Sequence, residues 1–287
     1  MCDQDHYEQD RLEYEARGLI TRKQFGVTLA AGVAMLLPKV ANAAAVVESE
    51  VNIKTSDGTA DAYFVHPASG AAPGVLVWPD IFGLRPAFTM LGKRLAESGY
   101  SVLVVNPFYR TKKAPTADKG GATPINQVFP LMAGIQHEEM NVADSKAFIG
   151  WLDQQPSVAK NRKMGVQGYC MGGFLAFRTG YADADRIGAV ATFHGAALVT
   201  KTPDSPHLHV GQSKAQYLVA IAESDDKQSP TDKDVLKETF AKDHIQAEVE
   251  VYPAMHGWCA SDTAAYSEPQ AERAWGRLLA LYGKALA

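Results

Sequence analysis

The chain has 287 residues, which is enough for one large α/β domain or two small ones. Hydrophobic residues make up 46% of it and charged residues 21%, as is usual for a globular protein. The formal net charge of −4 offers no basic surface for nucleic acid, and the 3 cysteines are too few for a disulfide framework and lack the spacing of a zinc site. We expect no nucleic-acid partner, no metal and no cofactor.

The first 43 residues have the pattern of an export signal. A basic segment at 21–25 precedes an apolar run at 26–37, and an A-x-A cleavage pattern follows at 41–43. The run is too short to span a bilayer, which takes about 20 apolar residues. The basic segment resembles a twin-arginine signal, but Lys23 stands in place of the second arginine and the preceding residues are acidic.

This pattern divides the chain into residues 1–43, which we expect to be cleaved on export, and a domain over residues 44–287. The mature protein is then expected to be periplasmic, with no stable membrane association. A retained amphipathic arm on a cytoplasmic protein is the alternative. N-terminal sequencing of protein from a native-like host distinguishes the two, because an intact Met1 end in the cytoplasmic fraction would contradict export.

After residue 44, apolar runs and turn signals predict alternating strands and helices. The first elements are strands at 51–55 and 60–66 around a turn at 56–58, strands at 74–78 and 100–106, and a helix at 86–98 between them. Residues 109–130 lack a period and are expected to form a long loop near the site. An amphipathic helix is predicted at 137–155, with its buried side formed by Met140, Ala143, Ala147, Phe148, Trp151 and Leu152.

The second half of the chain continues the alternation. Strands are predicted at 162–167, 187–193, 216–222 and 246–252, and helices from 174, at 231–241 and from Pro269 onward. Strands joined by helices over short connections favour a mostly parallel, twisted sheet with helices on both faces, which is an α/β fold.

Residues 168–173 read G-Y-C-M-G-G and lie between a predicted strand and a predicted helix. The spacing is that of a nucleophile elbow, with Cys170 as the nucleophile. Glycines at so sharp a turn avoid collisions with the strand and the helix, and the helix N-terminus lowers the pKa of the thiol. The backbone N–H of Met171, the next residue, is expected to form part of an oxyanion hole. A buried structural cysteine is the alternative.

A thiol nucleophile needs a base and an acid that orients the base. With this elbow, the acid and then the histidine follow the nucleophile along the chain. The strand at 216–222 is followed by Asp225 and Asp226, and the strand at 246–252 by His256, so these groups are expected at the carboxyl edge of the sheet. We assign His256 as the base and Asp225 as the acid, with Asp226 as the alternative acid.

Four segments together resemble the dienelactone hydrolase family of α/β-hydrolases. They are the elbow at 168–173, the acid turn at 223–226, Y-P-A-M-H-G at 252–257 and W-P-D-I-F-G-L at 78–84. The resemblance covers residues 48–287 and implies an α/β-hydrolase fold with a Cys-Asp-His triad, here Cys170, Asp225 and His256. It also implies hydrolysis of a small-molecule lactone or carboxylic ester through an acyl-enzyme.

The resemblance implies three further site residues. The family's carboxylate beside the resting thiol corresponds to Asp80, where the family usually has glutamate. The second oxyanion-hole donor corresponds to the N–H of Ile81. One arginine that binds the substrate carboxylate corresponds to Arg110, whereas the family's second arginine has no counterpart beyond His256. Its absence leaves other lactones and activated esters open as substrates.

Two functions of other classes are also compatible with these residues. A thiol redox or metal-binding protein could use Cys170, His256 and Cys259, because the last two have a spacing seen in metal sites, although a zinc site takes four ligands. An inactive hydrolase-fold binding protein is the other possibility. Metal analysis and an assay for Cys170-dependent ester hydrolysis distinguish these functions from a hydrolase.

Overall fold

The structure of the protein is a computed structural model that describes residues 10, 12–19, 37–40, 43–135 and 137–287. The basic segment of the expected export signal lies outside the described residues, as do most of its apolar run and most of its A-x-A pattern. Signal cleavage and export therefore stay predictions. Within the described residues, no helix combines the length and the apolar character that crossing a membrane requires.

Strands and helices alternate along the described chain after residue 43. The strands are β1 (Val46–Thr55), β2 (Gly58–Pro67), β3 (Gly74–Trp78), β4 (Ser101–Val105), β5 (Met164–Tyr169), β6 (Ile187–Phe193), β7 (Gln216–Ala222) and β8 (Ala247–Tyr252). The α-helices are α1 (Pro86–Glu97), α2 (Ile125–Val128), α3 (Glu138–Asp153), α4 (Gly172–Ala182), α5 (Glu223–Gln228), α6 (Asp232–Lys242) and α7 (Glu268–Ala285). Short 3-10 helices lie at Gly120–Ala122, Phe129–Ile135 and Pro206–Gln212.

These strands form an 8-stranded sheet in the order β1-β2-β4-β3-β5-β6-β7-β8. β1 pairs with β2 and β2 with β4 in antiparallel fashion, whereas all neighbours from β4 to β8 are parallel. β3 and β4 are buried along their full length, which explains their nearly continuous apolar sequences. The predicted α/β fold with a mostly parallel sheet is confirmed.

Helices cover both faces of the sheet. Side chains alternate between the two faces along each strand, so one strand contributes to the core on each side. In β3, Leu76 belongs to a core that contains residues of α3, α4 and α6, whereas Val77 belongs to a core that contains residues of α1 and α7. Cys170 lies in the first core and Cys259 in the second. The two cysteines therefore pack on opposite sides of the sheet.

Helix α3 buries a different face from the one that its apolar spacing predicts. Its buried residues are Asn141, Asp144, Ser145, Phe148, Ile149 and Leu152. Of the residues predicted on this face, only Phe148 and Leu152 are buried. Asp144 is buried because Tyr109 and Arg110 donate hydrogen bonds to its carboxylate, at 2.7 Å from the tyrosine hydroxyl and 2.7 and 2.9 Å from the guanidinium. Polar pairing, which the apolar pattern does not reveal, sets the orientation of this helix.

Residues 12–19 contact the domain, although the sequence pattern assigns them to the export signal. Residues 12–16 are helical, and Tyr14 is completely buried in a small cluster with Met255 and Ala265. The described part of this N-terminal segment thus packs against the loop that carries His256.

The candidate nucleophile lies where the connections of the sheet diverge. From β3 the chain crosses to β4 on one side of β3, and from β5 it crosses to β6 on the other side. The carboxyl ends of β3 and β5 therefore border a crevice, and open α/β sheets place their ligand-binding groups in such a crevice.

Three glycines allow α4 to begin directly against the neighbouring strands. A Cβ at Gly168 would lie 1.9 Å from the carbonyl oxygen of Gly172, and a Cβ at Gly172 would lie 2.3 Å from the carbonyl oxygen of Trp78. A Cβ at Gly173 would lie 2.5 Å from the Cα atom of Gly195. All three collisions are with backbone atoms, which cannot rotate away as a side chain can. Packing therefore requires the glycines of the G-Y-C-M-G-G segment.

We expect Gly172→Ala to lower the free energy of unfolding by about 2 kcal/mol or more, because overpacking against rigid neighbours typically costs about 1–3 kcal/mol. Gly276→Ala in α7 is the matched control, since nothing lies within 4 Å of its Cβ position. In a helix, alanine is favoured over glycine by up to about 1 kcal/mol, so the control should be as stable as the wild type or more stable. Urea unfolding measures both variants, and equal stability of the two would contradict the packing explanation.

Candidate active site

Cys170 follows β5 directly and has a backbone φ of 52°, in the left-handed region that non-glycine residues rarely adopt. Its backbone is held at both ends. Its N–H donates to the carbonyl of Phe193 (3.2 Å) and to Nδ1 of His194 (3.1 Å), and its carbonyl accepts from the N–H groups of Gly173 (2.9 Å) and Ala196 (2.8 Å). These contacts fix the strained turn that places the thiol at the N-terminus of α4.

Asp225 and His256 come together from two neighbouring strand ends. Nδ1 of His256 lies 2.9 and 2.8 Å from the two carboxylate oxygens of Asp225. The N–H of His256 donates to the hydroxyl of Ser224 (2.9 Å), and the N–H of Glu223 donates to the carbonyl of Ala254 (3.0 Å). The carboxylate accepts the Nδ1 proton, so Nε2 is the basic nitrogen of the neutral imidazole.

Asp226, the alternative acid, points to a different partner. Its carboxylate oxygens accept from Nζ of Lys233 at 2.7 and 2.9 Å. Both aspartates lie in α5, where the sequence pattern indicates only a turn. Because adjacent helical residues point in different directions, only Asp225 reaches the imidazole.

His194 is a residue of this site that the sequence reasoning missed. It follows β6 directly, is completely buried, and its ring centroid lies 4.8 Å from that of His256. Its Nδ1 accepts the N–H of Cys170, so its own proton is on Nε2. Burial, and then the nearby His256, lower the pKa of His194 well below its usual value. Its place at the carboxyl end of a parallel strand was the signal that could have identified it.

The two expected oxyanion-hole donors lie in neighbouring turns. Met171 follows the nucleophile, and Ile81 lies in the turn after β3. The turns pack closely, because a Cβ at Gly172 would lie 2.3 and 2.6 Å from the carbonyl oxygens of Trp78 and Pro79. Within the described chain, neither the N–H of Met171 nor that of Ile81 donates to another protein group. Both donors are therefore available to a ligand oxygen.

Asp80 belongs to a buried ion network. Its two carboxylate oxygens accept from Arg85 at 2.5 and 2.9 Å, and Arg85 also donates to Asp262 at 2.7 and 2.8 Å. Burial raises the pKa of Asp80 and the guanidinium opposes the shift. Asp262 also accepts the N–H of Gly121 at 2.9 Å, so the network joins three loops. Arg85 is shared between Asp80 and Asp262, so it does not fully neutralise the two carboxylates, and the effect of Asp80 on the thiol stays a prediction.

Arg110 is held by carboxylates of its own chain. It donates to Asp57 at 2.6 and 2.9 Å and to Asp144 at 2.7 and 2.9 Å, and only 11% of its side chain is exposed. The ion pairs tie the β1–β2 turn to α3. These contacts are those of a structural arginine and leave little of the guanidinium for the carboxylate of a substrate.

Cys259 is buried among aromatic residues on the other face of the sheet from Cys170. Burial raises the pKa of its thiol well above the ordinary value. Within the described residues, Cys170 and Cys259 form no disulfide, and no group of three or more His, Cys, Asp or Glu side chains is arranged to hold a metal ion. The two thiols lie in cores on opposite faces of the sheet, so they do not form a redox pair in this structure.

A cavity of about 170 Å³ opens beside the Asp225–His256 pair. Leu198, Ile221 and Leu236 line it with apolar surface. Its charged lining also includes Asp10, Asp226, Asp232 and Lys233. The described lining of this cavity includes the imidazole of His256 and the carboxylate of Asp225, but not Cys170, Met171 or Ile81.

Comparisons with known proteins bear on the family and the fold. A sequence profile of the dienelactone hydrolase family matches residues 60–286. The carboxymethylenebutenolidase of Pseudomonas putida is 28% identical over 171 residues, which cover 56% of this chain and 69% of that protein.

Solved structures are similar over most of the chain. A dienelactone hydrolase-like promiscuous phosphotriesterase from metagenomic libraries superposes with a TM-score of 0.68 at 19% identity, covering 85% of this chain and 100% of that one. The dienelactone hydrolase of Anabaena variabilis superposes with a TM-score of 0.57 at 18% identity, covering 84% and 99%. These structures share the fold, and the family profile spans most of the domain. The chain therefore belongs to the dienelactone hydrolase family and is a hydrolase with the α/β-hydrolase fold.

Proposed function

We propose that this protein hydrolyses a carboxylic ester or lactone, with Cys170 as nucleophile, His256 as base and Asp225 as the acid that orients the base. The observation that carries the proposal is the hydrogen bond of 2.8 Å between Asp225 and Nδ1 of His256. It selects the tautomer in which Nε2 can take a proton. The position of Cys170 at the N-terminus of α4 adds support, because a helix N-terminus favours the thiolate.

In the first half-reaction, the thiol of Cys170 gives its proton to Nε2 of His256, and its sulfur bonds to the carbonyl carbon of the substrate. Negative charge moves to the carbonyl oxygen, which accepts hydrogen bonds from the N–H groups of Met171 and Ile81. Breakage of the C–O bond then releases the alcohol, which takes the proton from the imidazolium. In the second half-reaction, His256 deprotonates a water that attacks the thioester, and the proton returns to the departing sulfur.

The cavity beside the Asp225–His256 pair favours an uncharged acyl group. Leu198 and Leu236 supply apolar surface, and Asp232 brings negative charge to the lining, whereas the charge of Asp226 is balanced by Lys233. A substrate carboxylate would be repelled by Asp232, and Arg110 is already engaged by two carboxylates of its own chain. Neutral esters and lactones are therefore the substrates we propose.

A neutral His194 suits this mechanism. His256 becomes positively charged when it takes the thiol proton, and a second imidazolium with its ring 4.8 Å away would oppose that charge. Burial keeps His194 neutral, and its Nδ1 then accepts the N–H of Cys170. The neutral ring thus supports the nucleophile turn without raising the barrier to proton transfer.

Cys170→Ala should reduce hydrolysis of p-nitrophenyl acetate to background, and Cys170→Ser should retain less than about a tenth of the wild-type kcat/KM. The reason is that a hydroxyl is a far weaker acid than a thiol in a site arranged for a thiolate and an imidazole. Release of p-nitrophenolate measures both. Cys259→Ala is the matched control and should keep wild-type activity, because this thiol is buried on the opposite face. Wild-type activity in Cys170→Ala would exclude the acyl-enzyme.

Asp225→Asn should lower kcat by about 10⁴-fold, the size of effect known for the aspartate of serine-protease triads. The asparagine amide favours the wrong tautomer of His256 and does not stabilise the imidazolium that forms during the reaction. Asp226→Asn should change kcat little, since it breaks only a partly exposed ion pair with Lys233, of a kind worth about 0–1 kcal/mol. Steady-state kinetics with folding checked by circular dichroism compare the neighbours. The reverse order of effects would move the acid to Asp226.

The folded protein should lose stability as the pH falls below about 6.5. Burial lowers the pKa of His194, so at mildly acidic pH His194 binds a proton in the unfolded chain but not in the folded chain. The stabilising contribution of His194 is complete above its pKa in the unfolded chain and declines as the pH falls towards its lower pKa in the folded chain. Over this range the free energy of unfolding decreases by up to about 1.4 kcal/mol per pH unit. Urea unfolding across this range measures the slope, which should decrease in His194→Gln. An unchanged slope would show that other groups, such as the buried His207, account for it.

A further inference from the structure

The N-terminal segment contributes a completely buried side chain to the domain. Tyr14 has 0% of its surface exposed, whereas Leu12, two residues earlier on the same helical stretch, is 58% exposed. The ring of Tyr14 packs in a cluster with Met255 and Ala265. Burial of an aromatic side chain removes a large apolar area from water, so the tyrosine ring provides the main attachment of the described segment.

Charged groups flank the buried ring. Arg17 donates two hydrogen bonds to Glu223, at 3.0 and 2.9 Å, and Lys227 donates to Glu13 at 2.7 Å. The cations of Arg17 and Lys227 also lie 5.0 and 5.7 Å from the centroid of the Tyr14 ring. Exposed ion pairs contribute little to stability, so the main effect of these pairs is to fix the orientation of the Tyr14 ring.

These contacts attach the segment to the two elements that carry the acid and the base. Glu223 and Lys227 lie on α5, on either side of Asp225 in sequence, and Met255 directly precedes His256. Asp10 also lines the cavity beside the Asp225–His256 pair. The segment therefore bridges α5 and the histidine loop at the place where their hydrogen bond must be held.

We propose that Tyr14 and Arg17 are positioning residues that hold α5 against the histidine loop and so preserve the Asp225–His256 geometry. This inference rests on the proposed function. A misplacement of about 1 Å in a catalytic group can cost about a hundredfold in rate, so contacts that fix the Asp225–His256 geometry can have a large effect on kcat. The inference has a consequence for export, since cleavage near Ala44 would separate the clamp from the domain. The proposed clamp therefore acts only in a chain that keeps residues 12–19.

The test uses the full-length chain with four substitutions: Tyr14→Ala, Tyr14→Phe, Arg17→Gln and, as the matched control on the exposed side, Leu12→Ala. Tyr14→Ala should lower kcat for p-nitrophenyl acetate about tenfold, which corresponds to about 1.4 kcal/mol, and should change KM less than about threefold. Tyr14→Phe keeps the ring and should restore most of kcat. Arg17→Gln should show a smaller loss, and Leu12→Ala none.

Hydrogen–deuterium exchange provides a readout that does not depend on activity. Peptides covering residues 223–228 and 255–266 should exchange faster in Tyr14→Ala and Arg17→Gln than in the wild type, whereas those of β3 and β5 should not change. The same pattern should be absent in Leu12→Ala. A uniform increase in exchange over the whole domain would mean that the tyrosine serves global stability, and would overturn the positioning role.

The outcomes separate this inference from the proposed function. A wild-type enzyme without Cys170-dependent hydrolysis would overturn the proposed function, and the catalytic effect of the clamp with it. An active wild type whose kcat is unchanged in Tyr14→Ala would overturn the positioning role alone. Because Arg17 is partly exposed, its substitution should leave the domain folded, and wild-type kcat and exchange in both Arg17→Gln and Tyr14→Ala would also refute the clamp.

Discussion

The left-handed backbone of Cys170 is the constraint on which the rest of the site depends. A non-glycine residue in this conformation costs about 1–3 kcal/mol, so the surrounding structure has to impose it. Three backbone groups and the side chain of His194 are hydrogen-bonded to the backbone of Cys170, and three glycines let α4 start against β3 and the turn after β6. The parallel sheet supplies rigid strands on both sides of β5. The strained backbone of Cys170 therefore lowers the stability of the fold, and in return its thiol lies at the carboxyl edge of the sheet and at the start of α4.

The acid and the base are held together as one unit, although they lie 31 positions apart in the chain. The Ser224 hydroxyl and the carbonyl of Ala254 join the two loops by hydrogen bonds to N–H groups on either side of the Asp225–His256 contact. Alignment of the imidazole is thus determined by backbone contacts as well as by the carboxylate. Asp226 faces the other way and serves α6 through Lys233.

The sequence was informative where chemistry follows from chain order and strand ends. Cys170, Asp225 and His256 could be placed at one edge of the sheet because each follows a strand with a clear apolar pattern. His194 obeys the same rule and could have been included. The partners of Asp80 and Arg110 could not be foreseen, because the ion network and the pairing with Asp144 join residues up to 177 positions apart. The same pairing buries Asp144 on α3, beside Phe148 and Leu152, where the apolar pattern predicts no charged residue. Long-range polar contacts leave no periodic signal in a sequence.

The long-range contacts of the N-terminal segment could not be predicted from the sequence either. Its acidic residues count as a departure when the chain is compared with an export signal, because such signals have a positively charged start. One of these residues, Glu13, forms an ion pair with Lys227, and its neighbour Tyr14 is completely buried. In the described part of the segment, residues that depart from the signal pattern are therefore the ones that contact α5 and the loop of His256. The proposed positioning role accounts for this fit, whereas a cleaved signal would need no such complementarity; cleavage and export stay predictions.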